Sequence, residues 1–370
     1  MIIFLLLLLI CGAVLITQLL IQRFAYRNLT YSLAFSVSEA AEGDIVTLTE
    51  TICSRKLLPL PWVKVELTTD ASLVLAADQS AVSEDTRFIS SFFCLHPYRK
   101  TQRHWKVTCT KRGMFTVSHA VIMVSDLFGT TELSMPYPEA EASLTVLPAV
   151  REIGLPPQLP QQMTGDMLRN RMLIPDRFAI CGIRQYTDGD PARDICRTAS
   201  ARSENLMVWQ YQETAVPGMT VLLNLETRET DRERASDRKA FENAIRLCAA
   251  YLGQADKLHI PVRVAANTLL NGQPALTRFG TGSAALHAQL RMLAALTDEI
   301  ACRFETLLQH CLTEDPSAAV IVITAQPTAA ILRYAEADAR ITVLSLRPLP
   351  DHMIRQNVFH IPEFQRSLIL

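Results

Sequence analysis

The first 21 residues constrain this chain more than any other segment. Eighteen of the residues from Met1 to Ile21 are hydrophobic, with only Gly12, Thr17 and Gln18 interrupting. As a helix rising about 1.5 Å per residue, such a run is about 30 Å long, the thickness of one hydrocarbon core. A cleaved leader is the competing reading. It calls for basic residues ahead of a shorter apolar run and a small-x-small site after it. Here no Lys or Arg precedes the run, and no such site closes it. The expectation is an uncleaved transmembrane helix over residues 1–22. Arg23 and Arg27 follow at once, and basic residues beside a span favour its cytoplasmic end. The reading is therefore a single-pass protein of the cell membrane with a cytoplasmic body.

Composition bears on that body. The 370-residue chain is 49% hydrophobic, and setting the N-terminal run aside brings the remainder to about 47%, an ordinary globular value. Lys and Arg number 36 against 37 Asp and Glu, so no global field recruits nucleic acid, and none is expected as a partner. The nine cysteines are scattered, odd in number and without a C-x-x-C pair. Neither a disulfide framework nor a zinc site is suggested, and free thiols in a reducing compartment are expected.

Two patterns follow the helix. Residues 28–150 carry short β-type runs at 32–37, 45–49, 62–67, 105–110, 115–117 and 120–124. Turn signals separate them at Glu42-Gly43-Asp44, Arg112-Gly113 and Asp126 to Gly129. Regularly spaced short strands predict an immunoglobulin-like antiparallel β-sandwich. A connector over residues 151–204 begins Pro-rich. From 205 to 350 strands alternate with helices. Strands are expected at 206–209, 219–225, 261–266, 319–324 and 341–346, and helices around Phe241 to Leu252, Leu286 to Leu293, Phe304 to Cys311 and Pro327 to Ala337. The order implies an α/β doubly wound, Rossmann-like domain, with residues 351–370 as a tail.

The densest polar constellation is Arg184, Tyr186, Asp188, Gly189, Asp190, Arg193, Asp194 and Arg197, with Ser200 and Arg202 beyond. Arginine offers a planar fork suited to carboxylate or phosphate. The segment reads either as a docking surface for an acidic partner loop or anion, or as an ion-pair network that satisfies itself. A second basic stretch comprises Arg99, Lys100, Arg103, Lys106, Lys111 and Arg112 around Trp105. It reads as a solvated strand face or as a surface toward anionic lipid. Gly280-Thr-Gly282-Ser fits a loose dinucleotide pattern and equally a plain helix N-terminus. No H-E-x-x-H, G-x-S-x-G, S-x-x-K or P-loop occurs.

Around the polar constellation the chain resembles the domain-of-unknown-function-58 family, whose signature runs R-x-Y-x-x-G-D-x-x-R-x-I-x-W-x-x-S-A-R. Arg184, Tyr186, Gly189, Asp190, Arg193, Ile195, Ser200, Ala201 and Arg202 match it. The family's Trp is missing, and Cys196 and Arg197 stand nearest. Arg112-Gly113-Met-Phe115, Asp126 to Gly129, the run from Asn205 to Trp209 and that from Val221 to Leu225 are also similar to family segments. The resemblance implies a von Willebrand factor A-like C-terminal domain. It also implies cooperation with a MoxR-type AAA+ ATPase in assembly or maturation of protein complexes. Metal-binding domains of that type carry D-x-S-x-S after their first strand. Here Asn224, Glu226 and Arg228 take those places, and Arg228 would bring a cation to the site. Mg²⁺ binding is not expected, and Asn224 and Glu226 read instead as strand-end caps.

The function expected is that of a membrane-anchored, non-enzymatic interaction or adaptor protein. Arg184, Tyr186, Gly189, Asp190, Arg193 and Arg202 are its candidate binding residues, together with the loop at Asn224 and Glu226. Two alternatives stay open: an outward-facing, metal-dependent adhesion module, and a hydrolase of unknown substrate. The first needs the opposite topology and a working metal site. The second needs a nucleophile–base pair assembled from distant residues.

Overall fold

The computed structural model describes residues 2–75, 80–83, 86–125, 132–138, 140–150, 174–187, 190, 192–203, 205–214, 218–270, 272–315, 318–349 and 357–361. The chain divides into two compact units, Met1–Ala149 and Val150–Leu370. The first holds a β-sandwich and the second a mixed α/β fold with a parallel sheet.

The first unit opens with α1 (Ile2–Phe24). Its described side chains include Phe4, Leu8, Leu9, Leu15, Ile16 and Leu19, each at least 59% exposed. The end of the helix meets the sandwich, where Ile21 and the following Ala25 join the buried core. There Lys56 Nζ donates to the carbonyl of Phe24 at 2.9 Å and to that of Ala25. The last carbonyls of a helix have no intrahelical donor, and a cation also meets the negative end of the helix dipole. Among the described residues no helix is long and apolar enough to cross a membrane.

One sheet of the sandwich orders β1 (Leu29–Phe35), β3 (Ile45–Ser54), β8 (Lys100–Cys109) and β5 (Leu73–Leu75). The other orders β2 (Glu39–Ala41), β11 (Ala142–Leu147), β9 (Gly113–Ser125), β4 (Leu60–Asp70), β7 (Thr86–Leu95) and β6 (Ser80–Ser83), with β10 (Glu132–Tyr137) on β9. Pairing is antiparallel except between β11 and β2. Alternate residues point inward, as on β3, where Val46, Leu48, Glu50 and Ile52 are buried. The runs expected at 115–117 and 120–124 are one strand, β9. Strand β7 escapes a hydropathy reading because Ser90 and Ser91 interrupt its apolar run, and β2, β5 and β6 are only three or four residues long. At the Glu42-Gly43-Asp44 turn, Gly43 takes φ 102°, a left-handed conformation that suits glycine. The turn expected from Asp126 to Gly129 lies outside the described residues.

A carboxylate lies in the middle of this core. Glu50 is fully buried. Its Oε1 accepts from Tyr31 Oη at 2.9 Å, and its Oε2 from Ser91 Oγ and Trp105 Nε1, both at 2.8 Å. Ser91 belongs to the opposite sheet, so the carboxylate ties the two layers together. Burial beside Glu50 pushes the Tyr31 phenol far above its usual range.

In the second unit, β12 (Ile174–Gln185) and β13 (Met207–Thr214) form a separate antiparallel pair. The strand expected at 206–209 as the start of the α/β sheet is thus misassigned. Its continuation, Gln-Tyr-Gln-Glu-Thr, alternates with polar residues, whereas a parallel strand covered on both faces is continuously apolar. The main sheet orders β16 (Gln273–Leu276), β15 (Val262–Leu270), β14 (Met219–Leu223), β17 (Ala319–Thr324), β18 (Ile341–Ser345) and β19 (Val358–His360). All neighbours are parallel except β16 on β15. Strands β14 and β17 are buried almost throughout. Helix α3 (Arg238–Lys257) packs against them and α4 (Ser283–Ala295) beside it, after the single turn α2 (Arg197–Ser200). The core of the other face holds α5 (Phe304–Glu314) and α6 (Ala329–Ala337). Thr328 caps α6 by accepting from Ile331 N, so Pro327 stands before the helix and not in its first turn. The expected alternation of strands and helices gives a mixed α/β fold with a parallel sheet, and β19 shows that residues 351–370 are not only a tail.

Removing Glu50 leaves two buried donors, Tyr31 Oη and Ser91 Oγ, and the half-buried Trp105 Nε1 without their acceptor, and each buried group so orphaned costs about 1–3 kcal/mol. Glu50→Ala is expected to lower the unfolding free energy of the full chain in detergent by at least about 1–3 kcal/mol in a denaturant titration, and Glu50→Gln by less.

Candidate functional site

Doubly wound sheets bind ligands at the carboxyl ends of their strands, where the strand order reverses. Here that point lies between β14 and β17. Asn224, just beyond β14, bridges it: its backbone N–H donates to Ile323 O at 2.9 Å and its Nδ2 to Thr324 Oγ1 at 3.0 Å. Its Oδ1 accepts from Glu226 N at 2.9 Å, an Asx turn that reverses the chain. Asn267 of β15 accepts from Leu225 N at 2.9 Å. The expected strand-end role of Asn224 and Glu226 is what the geometry displays.

Glu226 is buried and accepts from Phe304 N at 2.9 Å, with Arg303 Nε 3.9 Å from the same oxygen. Burial pushes its carboxyl above the usual range, against the opposing pull of the Phe304 amide and Arg303. It pins the start of α5 to the strand end.

The next loop is organised by Asp231. One of its oxygens accepts from Thr227 N, Thr227 Oγ1, Arg228 N and Ser236 N, and the other from Ser236 Oγ at 2.6 Å. Burial works against its charge, but the hydrogen bonds from Ser236 and Thr227 prevail and hold its carboxyl at about 2. Asp237 then caps α3 through Ala240 N and meets Arg347 from the end of β18 at 3.1 Å. A second loop joins the first: Ile300 N donates to Glu233 O and Ala235 N to Asp298 O, both at 2.8 Å, and Arg234 pairs with Glu299 as an antiparallel bridge. The result is a fixed platform that exposes Arg228, Glu229, Arg232, Glu233 and Arg234.

The residues do not fit a metal centre of the von Willebrand type. The oxygen of Asn224 and one oxygen of Glu226 are taken by backbone amides, Asp231 spends both oxygens on donors, and the exposed Arg228 stands where a hydroxyl ligand belongs. Among the described residues no group of three His, Cys, Asp or Glu side chains could hold a metal ion.

The signature segment is a separate element of the second unit. Arg184 grips Asp190 with two parallel hydrogen bonds, at 2.6 and 2.7 Å. Asp190 also accepts from Thr187 N and Oγ1, both at 2.9 Å. The Arg184 fork holds the Asp190 carboxyl below the usual carboxylate range. This pair closes the turn after β12, within the segment itself, as in the self-satisfying reading. Ser200 Oγ donates to Cys196 O and accepts from Met207 N, which fastens α2 to β13. Tyr186 is half-buried, Arg193 and Arg202 are exposed, and Gly189 lies outside the described residues.

The structure divides the expected basic stretch. Arg99 and Lys100 open β8, while Lys111 and Arg112 follow its far end, about 30 Å away at strand spacing. Arg103 lies over the rings of Phe93 and Trp105, at 4.9 and 5.4 Å. The half-buried Trp105 donates its indole N–H to Glu50 at 2.8 Å. Gly282 is the N-cap of α4 at φ 84°, the plain helix start, and Gly280 exchanges backbone hydrogen bonds with Val262.

Thr227, Asp231, Ser236, Asn267 and Arg303 had no motif to mark them. The charge density of residues 226–237 was the available signal, but only the fold shows which acid faces inward.

No family model and no curated protein matches the chain. Among solved structures it is similar to a non-cellulosomal cohesin from Archaeoglobus fulgidus, at 10% identity and TM-score 0.23, covering 32% of this chain and 91% of that one. A CARDB domain from Pyrococcus furiosus gives 12% identity and TM-score 0.22 over 33% of this chain and 96% of that chain. A type I cohesin from Pseudobacteroides cellulosolvens gives 14% and 0.24 over 34% and 97%. Likeness at this level carries no argument about activity or partners.

The Asp231 carboxyl lies lower in the folded chain than the ordinary 3.8. Its contribution to stability is therefore complete above about pH 4 and is withdrawn as pH falls toward about 2. Protection of the amides of residues 227–236, taken relative to the intrinsic exchange rate at each pH, is expected to fall across that window in the wild type. Asp231→Asn is expected to show lower protection already at neutral pH, with little further loss on acidification.

Proposed function

We propose that this chain is a membrane-anchored, non-enzymatic interaction protein of the kind its residue 184–202 signature resembles, the domain-of-unknown-function-58 family. It works with a MoxR-type AAA+ ATPase in the assembly or maturation of protein complexes. Helix α1 spans the bilayer, and the rest of the chain lies on the cytoplasmic side.

The observation that carries this reading is the platform at the carboxyl end of the parallel sheet. Its buried polar groups are engaged with one another, and its exposed side chains are charges of both signs on a loop fixed by Asp231. A hydrogen-bonded loop with exposed charges suits recognition of a protein surface, because little ordering entropy remains to be lost on binding. The exposed Arg193 and Arg202 offer a second charged surface. The anchor is supported by α1 itself. A 23-residue helix that holds Phe4, Leu8, Leu9, Leu15, Ile16 and Leu19 away from protein contact places a large apolar area where only lipid or another apolar surface suits it.

The test is crosslinking in native membranes, extraction in mild detergent and identification of co-purifying proteins. An AAA+ ATPase is expected in the eluate, with its yield reduced at least about tenfold by Arg228→Glu together with Arg193→Glu, the loss of a few charge contacts at an interface. Recovery of the chain without any ATPase contradicts the proposal.

A further inference from the structure

Around the last turn of α1 the sandwich gathers three segments, residues 23–29, 54–62 and 94–100. Backbone hydrogen bonds join them: Ser54 N donates to Arg99 O at 3.0 Å, Arg55 N to Asn28 O at 2.9 Å and Tyr98 N to Lys56 O at 3.3 Å. Six side chains in these segments are Lys or Arg and none is Asp or Glu. Lys56 turns inward to the end of α1, and Arg23, Arg27, Arg55, Arg99 and Lys100 are exposed. Glu132, opposite Ser125 at the start of β10, is the acid of the adjoining strand end.

Large apolar side chains stand among these cations. Leu57 is 75% exposed, Tyr98 70% and Trp62 57%. Tyr98 is held at φ 51°, a left-handed conformation that is costly for a bulky residue. Beside them opens a cavity of about 360 Å³ lined by Ile21, Leu58, Pro59, Pro61, Leu95 and His96. Its wall includes α1, so cavity, aromatic side chains and cations all surround the point where the apolar helix enters the fold.

We propose that this end of the sandwich binds an anionic phospholipid. The phosphate sits on the basic rim of Arg55, Arg99 and Lys100, an acyl chain enters the cavity beside Ile21, and Leu57, Trp62 and Tyr98 lie in the headgroup layer. Charge complementarity selects the lipid: a rim of cations without acids attracts a negative headgroup, and Trp and Tyr favour the boundary between hydrocarbon and water. This inference rests on the proposal that α1 spans the bilayer.

The test uses the full chain in nanodiscs of chain-brominated phosphatidylcholine, with or without phosphatidylglycerol. Quenching of tryptophan fluorescence is expected in the wild type and its loss in Trp62→Phe. Lipid that stays with the protein through detergent extraction is expected to be enriched about fivefold in phosphatidylglycerol, the effect of one basic residue at an anionic surface. The enrichment should vanish in the variant R55E/R99E/K100E. A chain that enters the discs but shows no Trp62-dependent quenching and no enrichment overturns this inference and leaves the anchor standing. A chain that does not enter the discs overturns both.

Discussion

The contact between Lys56 and the end of α1 governs how the first unit is built. The last carbonyls of a helix need donors from outside it. Here a lysine from the β3–β4 turn reaches the carbonyls of Phe24 and Ala25, and Ile21 and Ala25 are buried with the sandwich core. Tyr26 continues the attachment by donating to Ile122 O at 3.2 Å and to Leu133 O at 2.5 Å, on β9 and β10. The end of the helix is thus fastened to the sandwich from Ile21 onward. Burial lowers the Lys56 ammonium to about 8 from an ordinary 10.5. The folded chain therefore binds that proton less tightly than the unfolded one, and this group adds stability as pH rises from about 8 to about 10.5. A neutral amine still donates, so the attachment does not depend on the charge.

The second unit applies the same economy of polar groups at a different place. The carboxyl end of a doubly wound sheet ordinarily presents unfilled donors and acceptors to a ligand. In this chain Asn224, Asn267, Glu226 and Asp231 satisfy the surrounding amides, and the crevice becomes the foundation of a loop. Asp231 is the centre of that arrangement, since its two oxygens gather five donors from three residues.

Much of this was legible before the fold was known. The continuous apolar run at 319–324 and the helical spacing from Phe241 to Leu252 locate the core of the α/β unit, since burial on both faces leaves few other compositions. The alternation on β3 and β4 likewise marks the sandwich. What escaped depended on tertiary partners. Residues 206–209 look like a buried parallel strand, but the polar alternation from Gln210 onward fits a two-stranded sheet. The three-residue strands β2, β5 and β19 carry too few side chains for any period. The basic residues from Arg99 to Arg112 form one cluster in sequence and two in space, because a ten-residue strand separates its ends. At the site, Asn224 and Glu226 were marked by their place after a strand, whereas Asp231 is one acid among many in an acid- and arginine-rich stretch. Its role depends on the hydroxyls of Thr227 and Ser236 turning toward it.

The proposed anchor requires α1 to reside in a bilayer, with Lys56 at its cytoplasmic end. Alkaline carbonate extraction of membranes from cells that produce the full chain tests this directly. The account predicts that the chain stays with the membrane pellet and enters the supernatant only with detergent. Release of the chain by carbonate alone would contradict it.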